Sequence, residues 1–335
     1  MRNQLTHSLI LGAVLGAGLL AQSAMAADQV TYQLDWLPGG DKSPVYVGVQ
    51  KGFFEDAGLE VNIATGRGSA DAITKIATDQ ADIGSADIAA VMAARAQDES
   101  VPVKVVYSIF NQAPHAFFTL EKSGIDELTD IQGKKVATSP FTSSNAFLPL
   151  VLTENGLPSD AVNLTKADPG ALGPMLMNGG TDAIIAWVTN VPLFEDQAEA
   201  TGNELVVIPW SDAGLELYSS SVVASEKFLS ERPDVAKRFI AALDKSIRYT
   251  RDNPSEAGAA LKSMVPEVDA DVAAAQVKAT MPLVFNSVSE RDGLGALTPE
   301  RIALTWDWVS QAENLPADSL DPESVIDRSL LETLD

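Results

Sequence analysis

The stretch LDWLPGGDKSPVYVGVQKGFFEDAGLEVNI, residues 34–63, constrains the fold more than any other, because strand, loop, helix and strand follow one another in it without a break. Tyr32, Leu34 and Trp36 alternate with polar residues, the spacing of a half-buried strand. Pro38, Gly39 and Gly40 end it, and Ser43-Pro44 predicts a helix with serine as N-cap and proline at the first helical position. Val45, Val49 and Phe53 then recur every four residues, Lys51-Gly52 closes the helix, and Leu59, Val61 and Ile63 resume strand alternation. A strand-helix-strand unit of this kind belongs to an open α/β sheet, where loops at the carboxyl ends of strands face the ligand crevice. The loop after Trp36 is therefore where a site is expected.

Residues 1–26 read as a cleaved export signal: Arg2 near the start, an apolar run over 8–21 too short for a membrane span, and a small-x-small end at Ala24-Met25-Ala26. About 309 of the 335 residues remain, more than one hydrophobic core holds, so two lobes are expected. The chain has no cysteine, hence no lipid-anchor cysteine, disulfide or thiolate chemistry, and a free periplasmic protein follows. With 23 basic against 46 acidic residues the net charge is −23, which argues against nucleic acid or an anionic membrane as partner. No Pro- or Ser-rich linker separates the lobes, so the chain is expected to cross between them within ordered structure.

Taken in order, a glycine loop, Thr65-Gly66-Arg67-Gly68-Ser69, leads into a helix carrying Ile73 and Ile76, and its backbone N–H groups offer a cradle for an acceptor atom. Arg67, a lone arginine, reads first as a solvent-facing charge. Residues 79–84 predict a buried strand, and Ser85 to Asp87 the start of a further helix. The polar interruption at 110–115 marks a first crossing. In lobe two, Ser139, Phe141, Thr142 and Ser143 form a hydroxyl-rich turn before a helix, the counterpart of the Gly66 loop. Residues 181–187 echo 79–87, which sets Trp187 where lobe one has Ser85; a core or hinge tryptophan is the other reading of that residue.

The ordered set L-D-W-x-P, K-G-F-F, E-x-x-G-L-E-V, then G-S-A-D-I at 84–88 and S-E-K-F-L-S-E-R-P-D-V from Ser225, resembles the NMT1/THI5-like periplasmic substrate-binding proteins of ABC importers over nearly all of the chain after the signal. The resemblance implies a type II periplasmic-binding-protein fold: two α/β lobes, each a mainly parallel sheet flanked by helices, joined by two hinge crossings that line the cleft. It implies that the chain returns to the first lobe through a second crossing at residues 209–218, so the expected division is 27–110 for lobe one, 111–212 for lobe two, and 213–335 for the return to lobe one with C-terminal helices. It also implies permease subunits as partners, a monomer, and no cofactor.

No catalytic set is present. His7 falls in the signal, His115 has no second histidine or cysteine beside it, and no G-x-S-x-G, G-x-G-x-x-G or phosphate-binding loop occurs. The THI5-type pyrimidine synthases of this superfamily carry a cysteine-rich iron motif, which this chain lacks. A binding protein rather than an enzyme is expected, with a periplasmic sensor as a further alternative. Asp35, Trp36, Phe141, Trp187, Trp210, Glu216 and Tyr218 gather at expected cleft positions, together with Arg67, Ser69, Ser85, Ser139, Thr142 and Ser143. Aromatic faces with carboxylate acceptors suit a planar heterocycle bearing N–H donors. The L-D-W-x-P opening resembles the branch that carries thiamine-precursor pyrimidines; the hydroxyl-rich turns and Arg67 keep a sulfonate, taurine or nitrate open, and riboflavin is a further alternative.

Overall fold

The computed structural model of the protein describes residues 27–334; the expected export signal lies outside them. Ten strands form two sheets of five. The first holds β1 (Asp28–Gln33), β2 (Leu59–Ala64), β3 (Ile83–Asp87), β4 (Val103–Ser108) and β10 (Ser220–Ser225), in the order β2-β1-β3-β10-β4. The second holds β5 (His115–Leu120), β6 (Lys135–Thr138), β7 (Asn163–Lys166), β8 (Ala183–Trp187) and β9 (Leu205–Pro209), in the order β7-β6-β8-β5-β9.

The two orders are the same plan drawn twice. In each sheet three strands pair in parallel, β2-β1-β3 and β7-β6-β8, as strand-helix-strand units must. The one antiparallel strand, β10 in the first and β5 in the second, is the strand that has just crossed from the other sheet. The polar interruption at 110–115 foresees the first crossing, but this reversal of direction is not foreseen from the sequence.

The repeat extends to single atoms. The helices Ser69–Ala77 and Pro169–Met177 precede β3 and β8, and between helix and strand Asp82 and Asp182 do the same work. Each accepts on its carboxylate the N–H of a neighbouring strand residue, Thr31 and Lys135, at 2.8 Å, while its own N–H donates back to that residue's carbonyl. Backbone N–H groups left out of the strand ladder take such acceptors.

Three expectations are corrected. Ser43 is not an N-cap: a 3-10 turn over Gly40–Lys42 runs directly into the helix Ser43–Gln50, so Ser43 is already helical, fully buried, with its hydroxyl unpartnered. Only glycine permits that turn, because a Cβ on Gly40 would lie 2.2 Å from the carbonyl oxygen of Ala273. Ser85 to Asp87 do not open a helix; they complete β3, and the helix is Ile88–Gln97, with Asp87 as its N-cap accepting from the N–H of Ala89 at 3.0 Å. Trp187 therefore stands at the end of β8 where β3 has Asp87, not Ser85.

Apolar burial divides unevenly. One cluster fills lobe one around Phe239, which stacks on Tyr32 at 5.6 Å and Phe54 at 4.9 Å. A second belongs to lobe two. The largest belongs to both, joining Ile88, Val91 and Met92 to Phe117, Phe147 and Leu148, with Ile302 and Trp306 of the helix Pro299–Ala312 completing it. Phe239→Ala is expected to cost about 3–5 kcal/mol in urea unfolding, against less than about 0.5 kcal/mol for Leu304→Ala on the surface of the last helix.

Candidate functional site

A small cavity lies between the lobes, lined from lobe one by Asp35, Trp36, Asp41, Gly68 and Ser69 and from lobe two by Thr142, Ile185, Ala186, Trp187 and Asn190. Its walls come from the carboxyl ends of β1 and β8 and from the loops before the 69–77 and 144–154 helices, as the α/β rule requires. Its free volume is about 20 Å³, room for one or two waters. The lobes touch around it. Trp36, though part of lobe one, packs on the lobe-two cluster that includes Leu172 and Ala186. Gly68, at φ +150°, comes so close to Phe141 that a Cβ would meet its carbonyl at 2.3 Å. The N–H of Ala70 donates to the carbonyl of Phe141, and the Ser139 hydroxyl to the carbonyl of Arg67 at 2.8 Å.

The electrostatic centre is a group that sequence reading passes over. Lys42 is buried, with Nζ 2.6 Å from Asp35 and 3.0 Å from Asp41, and lies 5.1 Å from the centre of the Trp187 ring. Burial opposes the ammonium, but the two carboxylates outweigh it and hold the Lys42 pKa above its ordinary value. Burial likewise raises Asp41 above the usual carboxylate value, against the pull of Lys42. Asp35 also accepts the Ser85 hydroxyl at 2.8 Å, so Ser85 supports Asp35 from behind without lining the cavity. Two carboxylates around one ammonium leave one negative charge in excess. A Gly-Gly-Asp-Lys run reads as a solvated turn, and only the burial of Gly40 draws Asp41 and Lys42 inward.

A second buried group ties the lobes beside the cavity. Asp87 accepts hydroxyl hydrogen bonds from Ser143 at 2.7 Å and Ser219 at 2.9 Å, and its carboxylate lies 3.5 Å from His115 Nε2. His115 Nδ1 pairs with Ser144 at 2.9 Å, and its ring sits among Phe147, Trp187 and Trp210. Burial pushes Asp87 up to about 6 and His115 down to about 3, so at neutral pH a carboxylate faces a neutral imidazole. His115 is sealed in the hinge and does not line the cavity.

Of the expected site residues, Asp35, Trp36, Ser69, Thr142 and Trp187 are brought together. Ser139 and Ser143 serve the contact between lobes, Arg67 pairs with Asp168 at the rim and covers the Phe141 ring, and Phe141 lies behind the cavity rather than in it. Trp210, Glu216 and Tyr218 are corrections. Trp210 is fully buried against Phe117 and His115, Tyr218 is buried with its hydroxyl accepting the N–H of Thr298 at 3.2 Å, and Glu216 is exposed. The second crossing turns these side chains into the shared core and out to solvent, because β9 joins the far edge of its sheet.

The NMT1/THI5-like family profile matches residues 40–257. The chain belongs to that family. Among relatives of this family member, a protein of Haemophilus influenzae named for thiamine biosynthesis is 26% identical over 276 residues, covering 82% of this chain and 86% of the relative. The formylaminopyrimidine-binding protein of Halalkalibacterium halodurans is 25% identical over 236 residues, 69% of each chain. A 4-amino-5-hydroxymethyl-2-methylpyrimidine phosphate synthase of Candida albicans is 22% identical over 255 residues, 74% of this chain and 75% of that one. The fold is that of periplasmic binding proteins: the alkanesulfonate-binding protein of Xanthomonas axonopodis, solved with MOPS bound, superposes with a TM-score of 0.70 at 14% identity over 91% of this chain and 99% of that one. Among the described residues no helix is long and apolar enough to cross a membrane.

Two outcomes are expected. Lys42→Met leaves two buried carboxylates unpaired and costs about 3–5 kcal/mol by urea unfolding. The unfolded chain protonates His115 near its ordinary 6.5, the folded chain only near 3, so this group removes stability as pH falls through 6.5. His115→Gln lacks that loss, and its stability relative to the parent rises by about 3 kcal/mol between pH 7 and pH 4.

Proposed function

We propose that the protein is a periplasmic solute-binding protein that holds a planar amino-heterocycle of the thiamine-precursor pyrimidine class and delivers it to an ABC importer. The observation that carries this reading is the make-up of the cavity: the aromatic faces of Trp36 and Trp187, and two carboxylates whose single neighbouring ammonium is already shared between them. Among the described residues no Lys, Arg or His lines it. A ligand with N–H donors satisfies the excess negative charge; a sulfonate or nitrate brings more of the same sign into a buried site. The hydroxyls of Ser69 and Thr142 and the amide of Asn190 supply the remaining partners for ring nitrogens. Asp41 takes the acceptor role expected of Glu216, with Asp35 beside it.

The name of the formylaminopyrimidine-binding relative supports this ligand class, and the export signal expected at residues 1–26 supports the compartment. A binding role rather than catalysis is supported by the absence of cysteine from the sequence and by the enclosure of His115 away from the cavity.

The test is calorimetric titration against aminopyrimidines, riboflavin, taurine, alkanesulfonates and nitrate. An aminopyrimidine is expected to bind most tightly; binding of a sulfonate or nitrate with no response to pyrimidines overturns the ligand class. Stacking contributes about 0.5–1.5 kcal/mol beyond area burial, and Trp36 adds the area of an indole, so Trp36→Ala is expected to weaken binding about tenfold or more with the unfolding midpoint little changed.

A further inference from the structure

The cavity does not end at Trp36. Sharing Trp36, Ala186 and Asn190 with it, a groove of about 340 Å³ runs outward between the lobes. Leu172 of the 169–177 helix and Leu193 and Phe194 of the helix Val191–Ala200 form one wall, and Val272 of the helix Ala270–Val284 faces them. These side chains are apolar, and the charges on the groove are all of one sign. Asp196 and Glu267 lie on its lip, exposed and without an ion pair or hydrogen bond, and no Lys, Arg or His lines it among the described residues. Gln197 lines it as well, with a buried Oε1 that accepts from nothing. That oxygen is enclosed by protein, against Gly173, where a Cβ would lie 2.2 Å from it.

We infer that the ligand has two parts: the ring held at Trp36 and Trp187, and an apolar arm, ending in a cation or an N–H donor, that lies in this groove. The inference rests on the proposed ring-binding function and extends it. The hollow is many times the space left in the cavity itself, wide enough for a second ring, and its apolar walls favour a hydrocarbon or aromatic body. The free carboxylates of Asp196 and Glu267 select the head group: each is an acceptor, so an anionic arm is repelled, a neutral one is tolerated, and a cationic or donor-bearing one is matched.

Three probes separate the parts: 4-amino-2-methylpyrimidine, the same ring with a 5-benzyl arm, and the same ring with a 5-(pyridinium-1-ylmethyl) arm. They are titrated into the purified protein at low ionic strength. The benzyl arm is expected to tighten binding about tenfold over the bare ring, and the pyridinium about threefold more. Gly170→Leu builds a side chain into the groove where a Cβ would meet only Leu37 at 3.9 Å. It is expected to erase the gain from the benzyl arm and leave the bare ring within about twofold. The double change Asp196→Asn with Glu267→Gln is expected to erase only the pyridinium increment. Binding of the bare ring with no gain from either arm, or gains that Gly170→Leu does not touch, overturns the two-part ligand and leaves the ring-binding function standing. No binding of any probe overturns both.

Discussion

Each sheet of this protein is completed by a strand that arrives from the other. β10 enters the first sheet between β3 and β4 after the chain has built the whole of the second, and β5 enters the second between β8 and β9 straight after leaving the first. Central positions in a sheet are the ones whose hydrogen bonds are satisfied on both sides, so neither sheet closes until the crossing strand is seated. The two lobes are therefore bound by topology before any side chain joins them, and the segments preceding the inserted strands pass beside the cleft. The Asp87 group, contacted by Ser143 from lobe two and Ser219 from the second crossing, gathers where these paths converge.

The cavity inherits its character from that arrangement. Its floor is the carboxyl ends of strands, and its carboxylates are held by other buried polar groups, Lys42 and Ser85. Lys42 is the clearest case. A buried ammonium with one carboxylate would be neutral and with none would be untenable; with two, it fixes both carboxylates and leaves a net negative charge. Selectivity between an amino-heterocycle and an oxyanion is thereby written into the support of the site as much as into its lining.

Much of this could be read from residues alone, and the limits have physical causes. The opening unit and the likeness of residues 79–87 to 181–187 are visible because apolar periodicity and glycine punctuation repeat wherever the backbone repeats, and the first crossing is visible because polar residues interrupt an apolar run there. Trp36 was identifiable because it directly precedes a Pro-Gly-Gly break at a strand end. Trp210, Glu216 and Tyr218 were not separable from it by composition: a crossing segment has no periodicity, so nothing in its sequence says which side chains turn toward the cleft and which into the core. Asp41 and Lys42 failed in the opposite direction. Adjacent charges in a glycine-rich loop have the signature of a surface turn, and their burial depends on contacts with Gln276 and Ala273, more than two hundred residues away.

The core shared by the lobes is lopsided. On one edge Ile302 and Trp306 of the last helix pack with side chains of both lobes in continuous apolar contact. On the other, the 270–284 helix packs along the 191–200 helix of lobe two, with a 3.4 Å hydrogen bond from Gln276 to Asn190, beside the hollow groove. Parting the first edge would expose a hydrocarbon surface to water, and a surface of that kind sticks to neighbouring molecules. Burying it in a core that belongs to both lobes keeps it from both.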